Sequence, residues 1–257
     1  MKFNVSGNPS ATKKGLMLHG MTLNGNAMMT LVGNTFGSDY HIIFPTFDGH
    51  HKEDKTIYTT ISDQADKIIA YLEYNGLCDL DFVMGVSLGA MTALEILQRE
   101  KLNVRRYVLD GLPFADFNSI KRNMIKMALG YVFKQTRKHP AKRNYIDKMF
   151  GSNAPEIKDF AMYADKTDIS VLVDQGFSGK VPEHLDMSEE DIIFVYGSQD
   201  GSYSHFRKFQ KKYPDGYRLI VKEGYKHCQY FRENVEEYAE IIKDTHKKTD
   251  MKGFFFD

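Results

Sequence analysis

The chain has 257 residues, 42% hydrophobic and 13% aromatic, which suits one α/β domain carrying an inserted subdomain. Lys plus Arg and Asp plus Glu both number 34, so the formal net charge is zero; that balance argues against a nucleic-acid or anionic-membrane partner, whose affinity rests mainly on a basic surplus. No apolar run approaches the roughly 18 residues of a spanning helix, the N-terminal stretch lacks a signal-peptide core, and Cys78 and Cys228 have neither metal-ligand nor disulfide spacing. The expectation is a cytoplasmic protein with no metal, no cofactor and no membrane span.

Short aliphatic and β-branched runs alternate with helical periods, the pattern of a mainly parallel sheet covered on both faces by helices. Strands are predicted over 2–5, 15–18, 40–45, 81–86, 104–110, 191–196 and 217–222. After the third strand, Ile57, Ile61, Ala65, Ile68 and Leu72 recur at helical spacing and predict a helix over 57–72. The segment 88–99 continues straight from Ser87 with Leu88, Met91, Leu94 and Leu97 on one face. After 104–110 the alternation stops. From Pro113 to about Ser188 only helical patterns occur, such as Phe117, Ile120, Met124, Met127 and Tyr131. Residues 113–188 are therefore predicted to form a helical subdomain over one edge of a core built from 1–112 and 189–257. Its Met124, Met127, Tyr131, Phe133, Phe150, Phe160, Met162, Tyr163 and Phe177 are read as holding that subdomain together, with an apolar acyl pocket as the alternative. Lys134, Arg137, Lys138, Lys142 and Arg143 are read as a solvated face, with attraction of an anionic substrate as the alternative. A last helix over 229–246 buries Val235, Tyr238, Ile241 and Ile242, and Phe254–Phe256 is expected to pack on the core.

The strongest local signal is Gly85-Val86-Ser87-Leu88-Gly89, between the buried run Asp81–Met84 and a helix. A serine on a tight strand-to-helix turn stands free of the sheet, and the glycines leave room for the turn. The bland alternative is a serine helix cap. An acyl-transfer enzyme also needs two N–H donors for the oxygen that becomes negative. Leu88 N–H, after the serine, is one candidate. Met21 N–H, after His19-Gly20 at the end of the strand Leu16–Leu18, is the other; His19 itself is read as a buried histidine bonding neighbouring loops. A serine hydroxyl needs a base, and His227, between the strand Tyr217–Lys222 and the last helix, is the best placed of nine histidines. The base needs a carboxylate to orient it. Asp200, after the strand Ile192–Tyr196, is preferred; Asp110, ending the strand Val104–Asp110, remains the alternative acid.

Taken together, His19-Gly20, Phe47-Asp48-Gly49-His50, Gly85–Gly89, Gly197-Ser198-Gln199-Asp200 and Gly224-Tyr225-Lys226-His227 resemble the α/β-hydrolase superfamily over nearly the whole chain outside 113–188. The chain order Ser, Asp, His is also that of the family. The resemblance implies a nucleophile elbow at Ser87, an acid at Asp200, a base at His227, an oxyanion hole from Met21 and Leu88, and a cap made by 113–188 over the site. One departure is Pro45-Thr46-Phe47-Asp48-Gly49-His50-His51, where family members commonly have a compact acidic-proline-glycine loop with an arginine. The expected activity is that of a serine hydrolase on a small-molecule carboxylic ester. A carbon–carbon bond hydrolase or acyltransferase with the same triad is the second possibility. A binding or signalling protein with little turnover is the third, and the intact Ser87, Asp200 and His227 count against it.

Overall fold

In the computed structural model, which describes residues 1–32, 34–53, 56–140, 155–186 and 191–243, the apolar runs become strands: β1 (Lys2–Gly7), β2 (Lys13–Leu18), β3 (Tyr40–Thr46), β5 (Phe82–Val86), β7 (Arg106–Asp110), β8 (Asp191–Gly197) and β9 (Arg218–Lys222). They form one sheet in the order β1-β3-β2-β5-β7-β8-β9. Only β1 runs antiparallel to its neighbour; every other pair is parallel. The central β5 and β7 are buried at every residue, as strands covered on both faces must be. Alternation divides β5 between two cores. Val83 joins Leu18, Leu109 and Phe194 under α2 (Ile61–Tyr74) and α3 (Leu88–Arg99). Phe82, Met84 and Val86 join Met17, Phe44, Val195 and Tyr238 under α1 (Gly25–Val32) and α9 (Val235–Lys243). Because the strands are parallel, their C-terminal ends share one edge of the sheet, where an open α/β sheet places its ligands.

Several boundaries differ from expectation for local reasons. The helix over 57–72 starts only at Ile61, because Thr60 is extended and its side chain accepts the Asp63 N–H as a cap; Ile57 is left exposed. The run 104–110 is split: β6 (Asn103–Val104) pairs with β4 (Asp79–Leu80) in a separate two-stranded sheet, and only Arg106–Asp110 enters the main one. The final helix is broken at Asn234, which leaves helical geometry at φ −132°, into α8 (Gln229–Glu233) and α9. Helices α1 and α7 (Gly201–Lys212), the latter burying Phe206 and Phe209 on one face, are additions to the sequence reading.

Between β7 and β8 the described residues form α4 (Ser119–Lys138), α5 (Pro155–Tyr163) and α6 (Lys166–Gly176), with one isolated bridge, Asp116 to Ser178. Asn118 caps α4 by accepting the Lys121 N–H. The expected inward stripe on α4 is turned the other way: Ile120, Met124, Met127 and Tyr131 are 53–76% exposed. The helix has two apolar faces on opposite sides, and the one holding Leu129, Val132 and Phe133 is the one buried. Neither internal glue nor a pocket lining therefore describes Met124, Met127 and Tyr131, whereas Phe133 and Phe160 are buried as expected. Phe150, Lys142, Arg143 and Phe254–Phe256 lie outside the described residues.

The strand that leads to Asp200 depends on an aromatic cluster. Phe194 is fully buried, with the rings of Phe206 and Phe209 at 4.8 Å, Tyr217 at 5.3 Å and Phe114 at 6.4 Å. Phe194→Ala should cost about 3–5 kcal/mol in urea unfolding; a loss below about 1 kcal/mol would show that the cluster contributes little packing.

Candidate active site

Strand β5 ends at Val86 and α3 begins at Leu88, so Ser87 makes the whole turn, with φ 53° and ψ −111°. That positive φ is a sterically costly region for a residue with a side chain. Two contacts hold it. The Ser87 N–H donates to the Asp110 carbonyl of the neighbouring strand at 2.8 Å. The glycines on either side let backbones meet: a Cβ on Gly85 would lie 2.3 Å from the Gly89 carbonyl oxygen, and one on Gly89 would lie 2.2 Å from that of Leu18. The helix thereby starts directly against the end of β2, and Ser87 Oγ points away from the sheet edge toward His227.

His227 Nε2 lies 2.9 Å from Ser87 Oγ, and its Nδ1 lies 2.9 and 3.0 Å from the two carboxylate oxygens of Asp200. A carboxylate only accepts, so Nδ1 carries the proton and Nε2 is the free acceptor facing the serine hydroxyl. The Asp200 side chain is 1% exposed and also accepts the Ser202 N–H at 2.7 Å, capping α7. Burial alone would raise the Asp200 carboxyl, but His227 and Ser202 outweigh it and hold it below the usual range. Burial alone would lower His227, but the bond to Asp200 and its charge outweigh that and raise the imidazole above the usual 6.5.

Asp110 lies outside this chain of bonds. It is 2% exposed, its Oδ2 has no hydrogen-bond partner among the described residues, and burial pushes its carboxyl up to about 7. Of the two candidate acids, the structure brings Asp200 to His227, while Asp110 meets the site through its backbone carbonyl.

The loop after β2 closes the other side of Ser87. A Cβ on Gly20 would lie 3.7 Å from Ser87 Cβ, so this loop touches the Ser87 turn. His19, fully buried, accepts the Phe47 N–H on Nε2 at 3.0 Å, which leaves Nδ1 to donate to the Gly20 carbonyl at 2.8 Å. Burial and the neighbouring His50 keep His19 neutral, well below its usual value. Because a trans peptide sets C=O and N–H on opposite sides, tying down the Gly20 carbonyl aims the Met21 N–H the other way. Neither Met21 N–H nor Leu88 N–H has an acceptor among the described residues, and Leu88 is the first residue of α3, where the helix leaves its N–H groups unpaired.

Two contributors have no role assigned by the sequence. His50 is fully buried and places Nε2 2.8 Å from the Met21 carbonyl and Nδ1 3.0 Å from that of Asp48, bracing the same loop. Only its long-range contact gives it that place. Ser202 donates its N–H to Asp200, and its position two residues after an aspartate at a strand end is a signal of capping. The helical insert reaches this region: the His50 ring stacks on Phe160 of α5 at 5.1 Å, Tyr163 OH donates to the His50 carbonyl at 2.9 Å, and a Cβ on Gly176 at the end of α6 would lie 2.7 Å from Met21 Cε. By contrast, a surface cleft of about 900 Å³ between Leu97 and Asp186 lies at the far end of α3 and includes none of these residues.

No protein-family model and no curated protein matches the sequence. Solved structures do match. One is an α/β-hydrolase enzyme from a Medee basin deep-sea metagenome library, with a TM-score of 0.75 and 13% identity, covering 98% of this chain and 96% of that one. Another comes from work on carboxylesterases of the ammonia-oxidizing thaumarchaeon Nitrososphaera gargenis, with a TM-score of 0.72, 15% identity and coverage of 94% and 92%. An esterase from Exiguobacterium antarcticum has a TM-score of 0.72, 17% identity and coverage of 94% of both chains. With the strand order and the strand-to-helix serine turn described above, these likenesses make the architecture plain: this chain has the α/β-hydrolase fold.

Proposed function

We propose that this protein is a serine hydrolase that cleaves a carboxylic ester of a small molecule through an acyl-enzyme on Ser87. The observation that carries the reading is the unbroken line from Ser87 Oγ to His227 to Asp200, at 2.9 Å for each step, beside the Met21 and Leu88 N–H groups, which have no acceptor among the described residues. As Ser87 Oγ attacks the ester carbonyl, His227 Nε2 takes its proton and Asp200 stabilises the imidazolium. The carbonyl oxygen becomes negative and is held by the N–H groups of Met21 and Leu88. Collapse of the tetrahedral adduct breaks the carbon–oxygen ester bond, and His227 returns the proton to the departing alcohol. Water then repeats the sequence, releasing the acid and restoring Ser87. The esterase and carboxylesterase identities of proteins sharing the fold support an ester as the substrate class over a carbon–carbon bond or an acyl acceptor other than water.

In this reading α4–α6 are the cap. The contacts of Phe160, Tyr163 and Gly176 with the His50 and Met21 region support it, because they put the insert against the oxyanion loop. Asp110 is a bystander whose carboxyl is pushed up to about 7 by burial.

Ser87→Ala should abolish hydrolysis of a series of p-nitrophenyl esters and block labelling by a fluorophosphonate. Labelling of the variant at the parent rate would place the nucleophile elsewhere. Labelling of the parent without turnover of any ester would favour carbon–carbon or acyl-transfer chemistry.

The neutral imidazole is the base, so activity is present above the His227 pKa and is lost as pH falls through it. Since Asp200 raises that pKa, the acidic limb of kcat/KM should lie above 6.5. Asp200→Asn should move the limb to lower pH and reduce kcat by at least about a hundredfold. Asp110→Asn should leave kcat nearly unchanged and shift the limb less than Asp200→Asn does, because the Asp110 charge raises His227 less than Asp200 does. A dead Asp110→Asn beside a nearly normal Asp200→Asn, with both folded by circular dichroism, would reverse the assignment of the acid.

Asp110 also makes a stability prediction. Its folded pKa, about 7, lies above the usual 3.8, so the native state holds this proton more tightly and loses stability as pH rises between those values. Thermal melts should therefore favour Asp110→Asn over the parent more at pH 8 than at pH 4; an equal difference at both would show that Asp110 ionises normally.

A further inference from the structure

Four of the large hydrophobic side chains that the described residues expose share one face of one helix: Ile120 at 71%, Met124 at 66%, Met127 at 76% and Tyr131 at 53%. Exposed apolar residues scattered singly are ordinary, but a contiguous row marks an interaction surface. At about 100° per residue the four fall within an arc of roughly 60°. They face away from Leu129, Val132 and Phe133, which are buried on the opposite side of α4.

The charge of the helix is equally one-sided. α4 carries Lys121, Arg122, Lys126, Lys134, Arg137 and Lys138 and no acidic residue, within a chain of zero formal charge. Asp174 of α6 pairs with Arg122 and Lys126 on the inner side. Lys134 and Lys138 are exposed, border the apolar row by their helical positions, and pair with no carboxylate among the described residues. The neutral composition that argues against an anionic partner averages away this local surplus.

We propose that α4 docks on an anionic lipid surface, with Ile120, Met124, Met127 and Tyr131 entering the headgroup boundary and Lys134 and Lys138 meeting the lipid phosphates. A lysine at the border of an apolar face can lay its stem along the hydrocarbon and keep its ammonium at the headgroups. A second copy of this chain fits the face less well, because two such helices would set lysines against lysines with no acid on either. An anionic bilayer satisfies both the apolar row and the surplus charge. The proposal goes beyond the hydrolase reading and does not rest on it, since docking is measured without turnover.

The test sediments the full chain with vesicles of phosphatidylcholine alone and of phosphatidylcholine with phosphatidylglycerol, in low and high salt. The expected result is at least about tenfold stronger binding to the anionic vesicles, weakened by salt. Met124→Glu/Met127→Glu and, separately, Lys134→Glu/Lys138→Glu should each reduce that binding by about tenfold or more. Both should keep the parent's circular dichroism and its turnover of soluble esters, because these side chains are exposed. The proposal falls if the parent does not bind anionic vesicles, or if both variants bind as the parent does. It also falls if light scattering finds a dimer that Met124→Glu/Met127→Glu converts to monomer, since a second copy would then be the occupant.

Discussion

Every part of the candidate site takes its position from the turn at Ser87. A residue with a side chain at φ 53° is stable there only if its surroundings hold it. Here the Asp110 carbonyl holds its N–H, and the bare backbones of Gly85 and Gly89 let strand, helix and the end of β2 come together. A larger residue at either glycine would push α3 off the sheet. The same close approach brings the Gly20–Met21 loop against the serine, so one backbone constraint sets both the Ser87 side chain and the N–H groups beside it.

Around that turn, burial acts differently on three ionisable groups according to their partners. Asp200 is almost completely buried and remains ionised because the His227 N–H and the Ser202 N–H point at it. Asp110 is also buried but has an oxygen without a partner among the described residues, and it is pushed toward the protonated form. His19 is buried with one N–H donor and one acceptor already matched, and is held neutral. Two aspartates at adjacent strand ends thus take on different chemistry through the partners that meet them as burial strips away water. The same matched bonds turn His19 from a possible acid or base into a tether for the Gly20–Met21 loop.

The sequence made the site legible because its signals are local. A serine between glycines at a strand-to-helix junction, and an aspartate and a histidine just past later strands, can be read from a few neighbouring residues. Asp200 and Asp110 look alike at that range, and only the approach of His227 separates them. His50 was unreadable as a brace because its partner, Met21, is 29 positions away. The strands followed from their apolar runs, but the break at Asn234 and the splitting of 104–110 depend on tertiary placement. The inverted face of α4 has a plainer cause. Its sequence carries two apolar stripes, Ile120–Tyr131 and Leu129–Phe133, and periodicity does not say which one meets the protein.

The central claim is that an acyl group resides on Ser87 during turnover. Rapid-quench mass spectrometry of the protein mixed with p-nitrophenyl acetate tests it directly. The account predicts an acetyl group on the Ser87 hydroxyl within the first turnover, formed as the burst of p-nitrophenol appears and lost as the protein is diluted into ester-free buffer. Release of p-nitrophenol at the steady rate with Ser87 unmodified at every time, or with the acetyl group on another residue, would contradict it.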